Sequence, residues 1–225
     1  MFIPLKMSEV AQYLERLRTR LDAGVVLVAV SKRQPIEKLL SAYQAGQRDF
    51  GENKVQELLE KQPQMSSDVR WHMIGHLQTN KVKFIAPFIH LVHSVDSVKL
   101  LREIDKRARQ NSRVIGVLMQ IGIAQESTKS GMEESLLQEI VERSVQGEWP
   151  NIQVRGLMGM ATHTSDELQV RKEFRELHRM FQHWRNQGAN WDILSMGMSG
   201  DLQIAQEEGS TMVRVGTAAF GPRDY

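Results

Sequence analysis

The chain contains no cysteine, so disulfide scaffolds, thiolate metal sites and thiol nucleophiles are all excluded. Only 6 prolines and 16 glycines are spread over 225 residues, too few for a collagen-like or low-complexity chain. No apolar run approaches the ~20 residues that a membrane-spanning helix needs; the most apolar stretch is Ala23 to Val30. An excess of one charge is also lacking. Lys plus Arg number 29 and Asp plus Glu 27, a net +2, too weak a bias to point to nucleic acid or an acidic membrane. The opening residues carry no apolar core before a small-residue cleavage site, so a cytoplasmic protein with neither a nucleic-acid nor a membrane partner is expected. What the chain does have is a hydrophobic fraction of 41%, enough for a real core and too much for disorder. Its length suits one large domain or two small ones.

The apolar residues are periodic. Between Met7 and Leu21 they fall at Val10, Leu14, Leu17 and Leu21, which predicts a helix with Ser8 as its N-cap. After Gly24 the run Val25 to Val30 is continuously apolar, as in a strand buried on both faces of a parallel sheet. A cycle then repeats of short strand, polar loop and amphipathic helix. Further strands are expected at Asp49–Gly51, Trp71–Gly75, Ile89–Ser94, Val114–Ile121, Val154–Met160, Trp191–Ser195 and Met212–Val215. Helices are expected at 36–45, 53–62, 80–86, 98–109, 133–145, 166–187 and 200–208. Eight strands, each but the last followed by a helix before the next, point to a closed (β/α)8 TIM barrel. The competitor is an open doubly wound sheet, but the loop Ser31-Lys32-Arg33-Gln34-Pro35 lacks the glycines of its first turn. No linker or repeat divides the chain. One domain over residues 1–225 is expected, with the first helix outside the barrel.

In such barrels the chemistry sits at the C-terminal ends of the strands. Lys32 follows the first strand with the parity of Val26, Val28 and Val30. A lysine at an apolar mouth loses solvation, which lowers its pKa and makes it a candidate imine-forming amine; a solvated surface lysine is the plainer alternative. At the other end of the chain, Ser199 can cap the short helix after strand seven and build an anion cup. Gly216 admits a backbone amide close to an oxygen, and Thr217 adds a hydroxyl. Ordinary turn chemistry would also place Gly and Ser there. Closure of the barrel sets strand eight beside strand one, ~4.8 Å away, so amine and cup can face one ligand with an aldehyde and a phosphate. Pyridoxal 5′-phosphate fits that description. Arg214 has the parity of Gly216 and, always protonated, can donate to a pyridine nitrogen but not accept from it. That makes a weakly activating pocket; a structural salt bridge is the alternative.

The stretches 28–32, 49–53, 71–81, 93–96, Lys129-Ser130-Gly131, 156–160 and 195–221 together resemble the pyridoxal phosphate homeostasis protein family, also called the proline synthase co-transcribed homologue family. The resemblance runs over essentially the whole chain. It implies a fold like the N-terminal barrel of alanine racemase, with the cofactor held as an internal aldimine on Lys32. It further implies Ser199, Gly216 and Thr217 on the phosphate, Arg214 near the ring nitrogen, and Asn53, His76, Asn80 and Met196 lining the pocket. Proteins of this family are thought to bind, store or deliver the cofactor and to balance vitamin B6 pools, with no robust reaction attached. Cofactor-dependent apo-enzymes are the partners this suggests, and a monomer is expected. One departure is visible: Arg33-Gln34 follows Lys32 where relatives more often carry short residues, which bears on the charge at the rim. A racemase of this fold takes its second base, a tyrosine, from another domain. The tyrosines here are Tyr13, Tyr43 and Tyr225, two in outer helices and one at the terminus. A racemase or a Schiff-base aldolase is therefore the second reading and a carrier the first.

The histidines add little at this stage. His90 and His93 should face opposite sides of a strand, and His72 and His76 lie four apart, so no metal site is expected. His163 reads as a polar rim residue. Met158, Met160, Met196 and Met198 read as barrel packing, and the four tryptophans as core.

Overall fold

The structure, a computed structural model, describes residues 8–125 and 131–221. Lys129, Ser130 and Tyr225, singled out above, lie outside the described residues. Eight strands form a closed, all-parallel barrel in chain order: β1 (Val26–Val30), β2 (Asp49–Glu52), β3 (Arg70–Met73), β4 (Leu91–Val95), β5 (Ile115–Ile121), β6 (Ile152–Gly159), β7 (Ile193–Ser195) and β8 (Met212–Val215). The open doubly wound alternative is thereby excluded. The seam pairs β1 with β8, Val28 opposite Arg214 and Ala29 opposite Val215.

Helix α1 (Glu9–Arg18) lies outside the barrel, capped by Ser8, whose hydroxyl accepts from the Ala11 amide. The outer layer follows as α2 (Ile36–Gln44), α3 (Val55–Lys61), α4 (Val82–Ile85), α5 (Val98–Gln110), α6 (Glu134–Val145), α7 (Glu167–Asn186), α8 (Leu202–Glu207) and α9 (Thr217–Phe220). The two longest show why they form. In α5, Leu100, Leu101, Ile104 and Ala108 share the buried face, and the Ser97 hydroxyl accepts from Leu100 N. In α7, Asp166 accepts from Leu168 N and Gln169 N, which stabilises the first turn by about 1 kcal/mol. Two expected helices change and one is added. The 53–62 helix stops at Lys61, and a 3-10 turn at Gln62–Gln64 follows, because Pro63 has no amide hydrogen to donate. The 80–86 helix opens as a 3-10 turn, Thr79–Lys81, before α4. The last strand, expected to end the cycle, is followed by the single turn α9.

Two apolar layers result. The larger lies between strands and helices and includes Ala29, Phe50, Trp71, Val92, Val117, Leu157, Leu194 and Val213. The smaller fills the barrel and consists of Val28, Leu91, Leu118, Met158, Ile193 and Met212. Alternation along each strand assigns the faces. With Val28 inside, Val30 and then Lys32 continue on the inner side; with Met212 inside, Arg214 does too.

Candidate functional site

At the C-terminal mouth of the barrel lies a cavity of about 600 Å³. Its walls come from the ends of β1, β2, β3, β6, β7 and β8. Lys32, Asn53, Ser199, Arg214, Gly216 and Thr217 all line it. The β1–β8 seam brings the amine and the glycine loop together: a Cβ on Gly216 would sit 3.5 Å from the Val30 Cβ, two residues before Lys32. Gly216 precedes α9 and Thr217 opens it; Ala219 N and Phe220 N donate to Gly216 O at 2.9 and 3.0 Å, and the amides ahead of them have no intrahelical acceptor. Ser199 lines the cavity without capping α8. That place belongs to Asp201, whose carboxylate instead accepts from Met198 N at 2.5 Å; the expected cap is corrected accordingly.

Arg214 is 4% exposed. Its Nη1 donates to Ser195 Oγ at 2.6 Å and its Nη2 to Gly159 O at 3.0 Å. Among the described residues no carboxylate pairs with it, so the salt-bridge alternative falls. Burial pulls its pKa down to about 10, with Asp201 opposing; at neutral pH it stays a cation and a donor.

Lys32 sits in a tight turn in which Gln34 N donates to Ser31 O at 3.0 Å. Arg33 takes a left-handed φ of 58° there, and its amide donates to Glu57 Oε2 at 2.6 Å. Beneath the turn, buried Lys61 donates to Ser31 O, Glu52 Oε1 and Glu57 Oε2 at 2.8, 2.8 and 3.0 Å. Ser31 Oγ donates to the same Glu52 oxygen at 2.7 Å. Burial raises the pKa of Glu52, against the pull of Lys61 and Ser31. All three Lys61 hydrogens are thus committed, and Lys61 cannot serve as a second amine. The Arg33 side chain is exposed and lines no part of the cavity, so its charge does not reach the rim.

A family model for the alanine racemase N-terminal domain matches residues 5–224. The pyridoxal phosphate homeostasis protein of Vibrio alginolyticus is 39% identical, across 95% of this chain and 93% of its own. That of Escherichia coli is 34% identical, across 97% and 99%. The chain belongs to the pyridoxal phosphate homeostasis protein family. PipY of Synechococcus elongatus, a structure with PLP bound, is similar with a TM-score of 0.87 and 34% identity over 95% of this chain and all of that one. An alanine racemase from Streptomyces lavendulae shares the fold, with a TM-score of 0.77 at 18% identity, and 57% of its length is covered.

Of the nine expected site residues of this family member, six meet in the cavity. His76 and Asn53 line a neighbouring depression of about 520 Å³, where His76 lies 3.5 Å from Asp96. Asn80 is exposed in the 3-10 turn and lines neither space. Met196 is fully buried in the outer layer, because its parity is opposite to that of Ser195. Met198, expected as packing, lines the cavity instead. Sequence reasoning missed the run Thr162, Thr164 and Ser165 beyond β6, although it placed His163 at this rim. It also missed that the histidines converge. His72 hydrogen-bonds His93 at 2.9 Å, and the His90 ring centroid lies 5.5 Å from that of His72. Among the described residues no group of three or more ligands suits a metal ion, and no helix is long and apolar enough to cross a membrane.

Proposed function

We propose that this protein binds pyridoxal 5′-phosphate and serves vitamin B6 homeostasis by holding the cofactor rather than by rapid turnover. One observation carries this: an amine after β1 and a glycine–hydroxyl loop after β8 share one cavity rim, with a buried arginine below them. The residues present fit the group. A cavity of about 600 Å³ is within the range of small-ligand sites. Ser199, Gly216 and Thr217 supply hydroxyl and amide donors for a phosphate. Lys32 would supply the amine that an aldehyde group needs for a covalent hold. Arg214 would offer a donor, not an acceptor, to a pyridine nitrogen, a setting in which the ring would be a poor electron sink. That suits holding the group better than fast racemisation. The reading is of a cytoplasmic monomer whose recipients are cofactor-dependent apo-enzymes.

The test is a visible spectrum with borohydride trapping. Purified protein supplied with the cofactor should turn yellow, and reduction should fix the label on the peptide containing Lys32, not on that containing Lys61. Lys32→Ala should abolish the trapped adduct and leave weaker, phosphate-dependent binding. A colourless protein that stays unmodified overturns the reading.

A further inference from the structure

The barrel interior holds a line of polar groups that the cavity alone does not explain. Asp49, His72, His93, Ser195 and Arg214 all point inward, and each is at most 7% exposed. They are joined in series. His72 Nε2 lies 3.0 Å from Asp49 Oδ1, His72 Nδ1 lies 2.9 Å from His93 Nε2, and His93 Nδ1 lies 3.1 Å from Ser195 Oγ. Ser195 Oγ in turn accepts from Arg214 Nη1. One end lines the upper cavity through Arg214. The other opens on a cavity of about 390 Å³ at the opposite, N-terminal end of the strands, lined by Asp49, Arg70, His72 and His90.

The direction of the chain is fixed from both ends. A guanidinium has no acceptor, so Arg214 donates and Ser195 accepts. The Asp49 carboxylate also accepts two hydrogen bonds from Arg70, at 2.7 and 2.5 Å. Burial alone would raise its pKa, but Arg70 and His72 hold it well below the usual carboxylate range. An ionised Asp49 only accepts, so His72 carries its hydrogen on Nε2. Neutral His72 then accepts at Nδ1 from His93 Nε2–H. Neutral His93 accepts at Nδ1 from the Ser195 hydroxyl. Every donor meets an acceptor, in one sense only: Arg214 to Ser195 to His93 to His72 to Asp49. The surroundings agree. Burial disfavours the charged form of both imidazoles; at His72 it outweighs the opposing pull of Asp49, with Arg70 and Arg155 on its side, and at His93 the neighbouring His72, Arg214 and His90 add to it. A proton placed on His72 would turn His93 around and leave the Ser195 hydroxyl, fully buried, without its acceptor.

We propose that Asp49, His72, His93 and Ser195 are positioning residues for Arg214, a one-directional relay through the barrel that presents its guanidinium to the ring of a cofactor in the upper cavity. The proposal rests on the reading of that cavity as a pyridoxal phosphate site, but the relay itself is measurable without the cofactor.

Nitrogen-15 NMR of the cofactor-free protein should find His72 and His93 both neutral and both as the Nε2–H tautomer at pH 7. Ser195→Ala removes the side-chain acceptor of Arg214, leaving Gly159 O, and the donor to His93, with little change in volume. It should lower cofactor affinity about tenfold, the effect of one lost hydrogen bond to a charged group, and shift the pH titration of the bound cofactor's visible absorbance. Met158→Leu, an apolar interior change on the strand beside Ser195 that removes no hydrogen-bonding group, should move neither. An Nδ1–H or cationic imidazole at pH 7 overturns the relay. So does a Ser195→Ala protein whose affinity and absorbance titration match those of Met158→Leu. A wild-type protein with the expected tautomers that takes up no cofactor overturns instead the cofactor reading, and with it the role given to Arg214.

Discussion

Gly216 and Gly197 look alike in the sequence and act differently. Gly197 has φ of 96° and a Cβ there would lie 2.5 Å from the Ala205 Cβ, so both backbone and packing require glycine. Gly197→Ala should cost about 2 kcal/mol of stability, as strained left-handed residues do, read as a lower urea midpoint. Gly216 has φ of −104°, which any residue tolerates, and its added Cβ would make only ordinary contacts with Val30, the nearest at 3.4 Å. Gly216→Ala should leave stability within about 0.5 kcal/mol, while titration with the cofactor shows an affinity weaker by about tenfold. A loss of fold without loss of binding would contradict the role given to this rim. The same contrast shows what was legible at this scale. Lys32, Arg214 and Gly216 stand out because strand parity continues past a strand end. Met196 was placed at the pocket by resemblance, although the parity that turns Ser195 inward turns Met196 outward. Thr162, Thr164 and Ser165 gave no signal, since hydroxyl residues after a strand are ordinary loop chemistry.

At the level of elements, α3 does more than cover β2. Its Lys61 and Glu57 hold the turn that carries Lys32 through the Ser31 carbonyl and the Arg33 amide. Lys61 also neutralises Glu52, which is fully buried and has one oxygen without a hydrogen-bond partner. Removing one member of a buried pair leaves the other charge stranded, at about 3–5 kcal/mol. Lys61→Met should therefore lower the urea unfolding free energy by that order, and borohydride trapping on Lys32 should slow as its turn loosens. Undiminished stability would show that Glu52 is neutral in the fold. Elements were the most readable level of the sequence. All eight strands lie where they are expected, most because a parallel strand buried on both faces leaves a continuous apolar pattern; β2, Asp49-Phe50-Gly51-Glu52, has no such run and is read from its place in the cycle. The helices that shifted are those with little period to read: α4 has four residues behind a 3-10 turn, and α9 has four between Gly216 and Gly221. The clamp from α3 was not legible, since it depends on which face of the helix meets the Lys32 turn.

For the whole molecule, the polar line through the barrel links stability to pH. His72 and His93 are completely buried, and burial lowers the pKa of each. A histidine with a depressed folded pKa leaves stability intact above the unfolded value of ~6.5 and removes it as pH falls below that, because only the unfolded chain takes the proton. Asp49 also loses its contribution on acidification, but only as pH falls through the carboxylate range, since its folded pKa is lowered. Glu52 has the opposite sign: with its pKa raised by burial, the fold gains stability as pH falls through that raised value towards the ordinary carboxylate range, which offsets part of the histidine loss. Burial also pulls His90, beside His72, down to about 4, so moving from pH 7 to pH 5 should remove several kcal/mol, about 2 for each imidazole that stays neutral in the fold. That is a large share of the 5–15 kcal/mol typical of a domain. Urea unfolding at the two pH values measures it directly. A variant lacking the His93 imidazole should retain only part of this loss. A stability independent of pH between 7 and 5 would mean that the barrel accommodates charged imidazoles, and the direction assigned to the relay would fail with it.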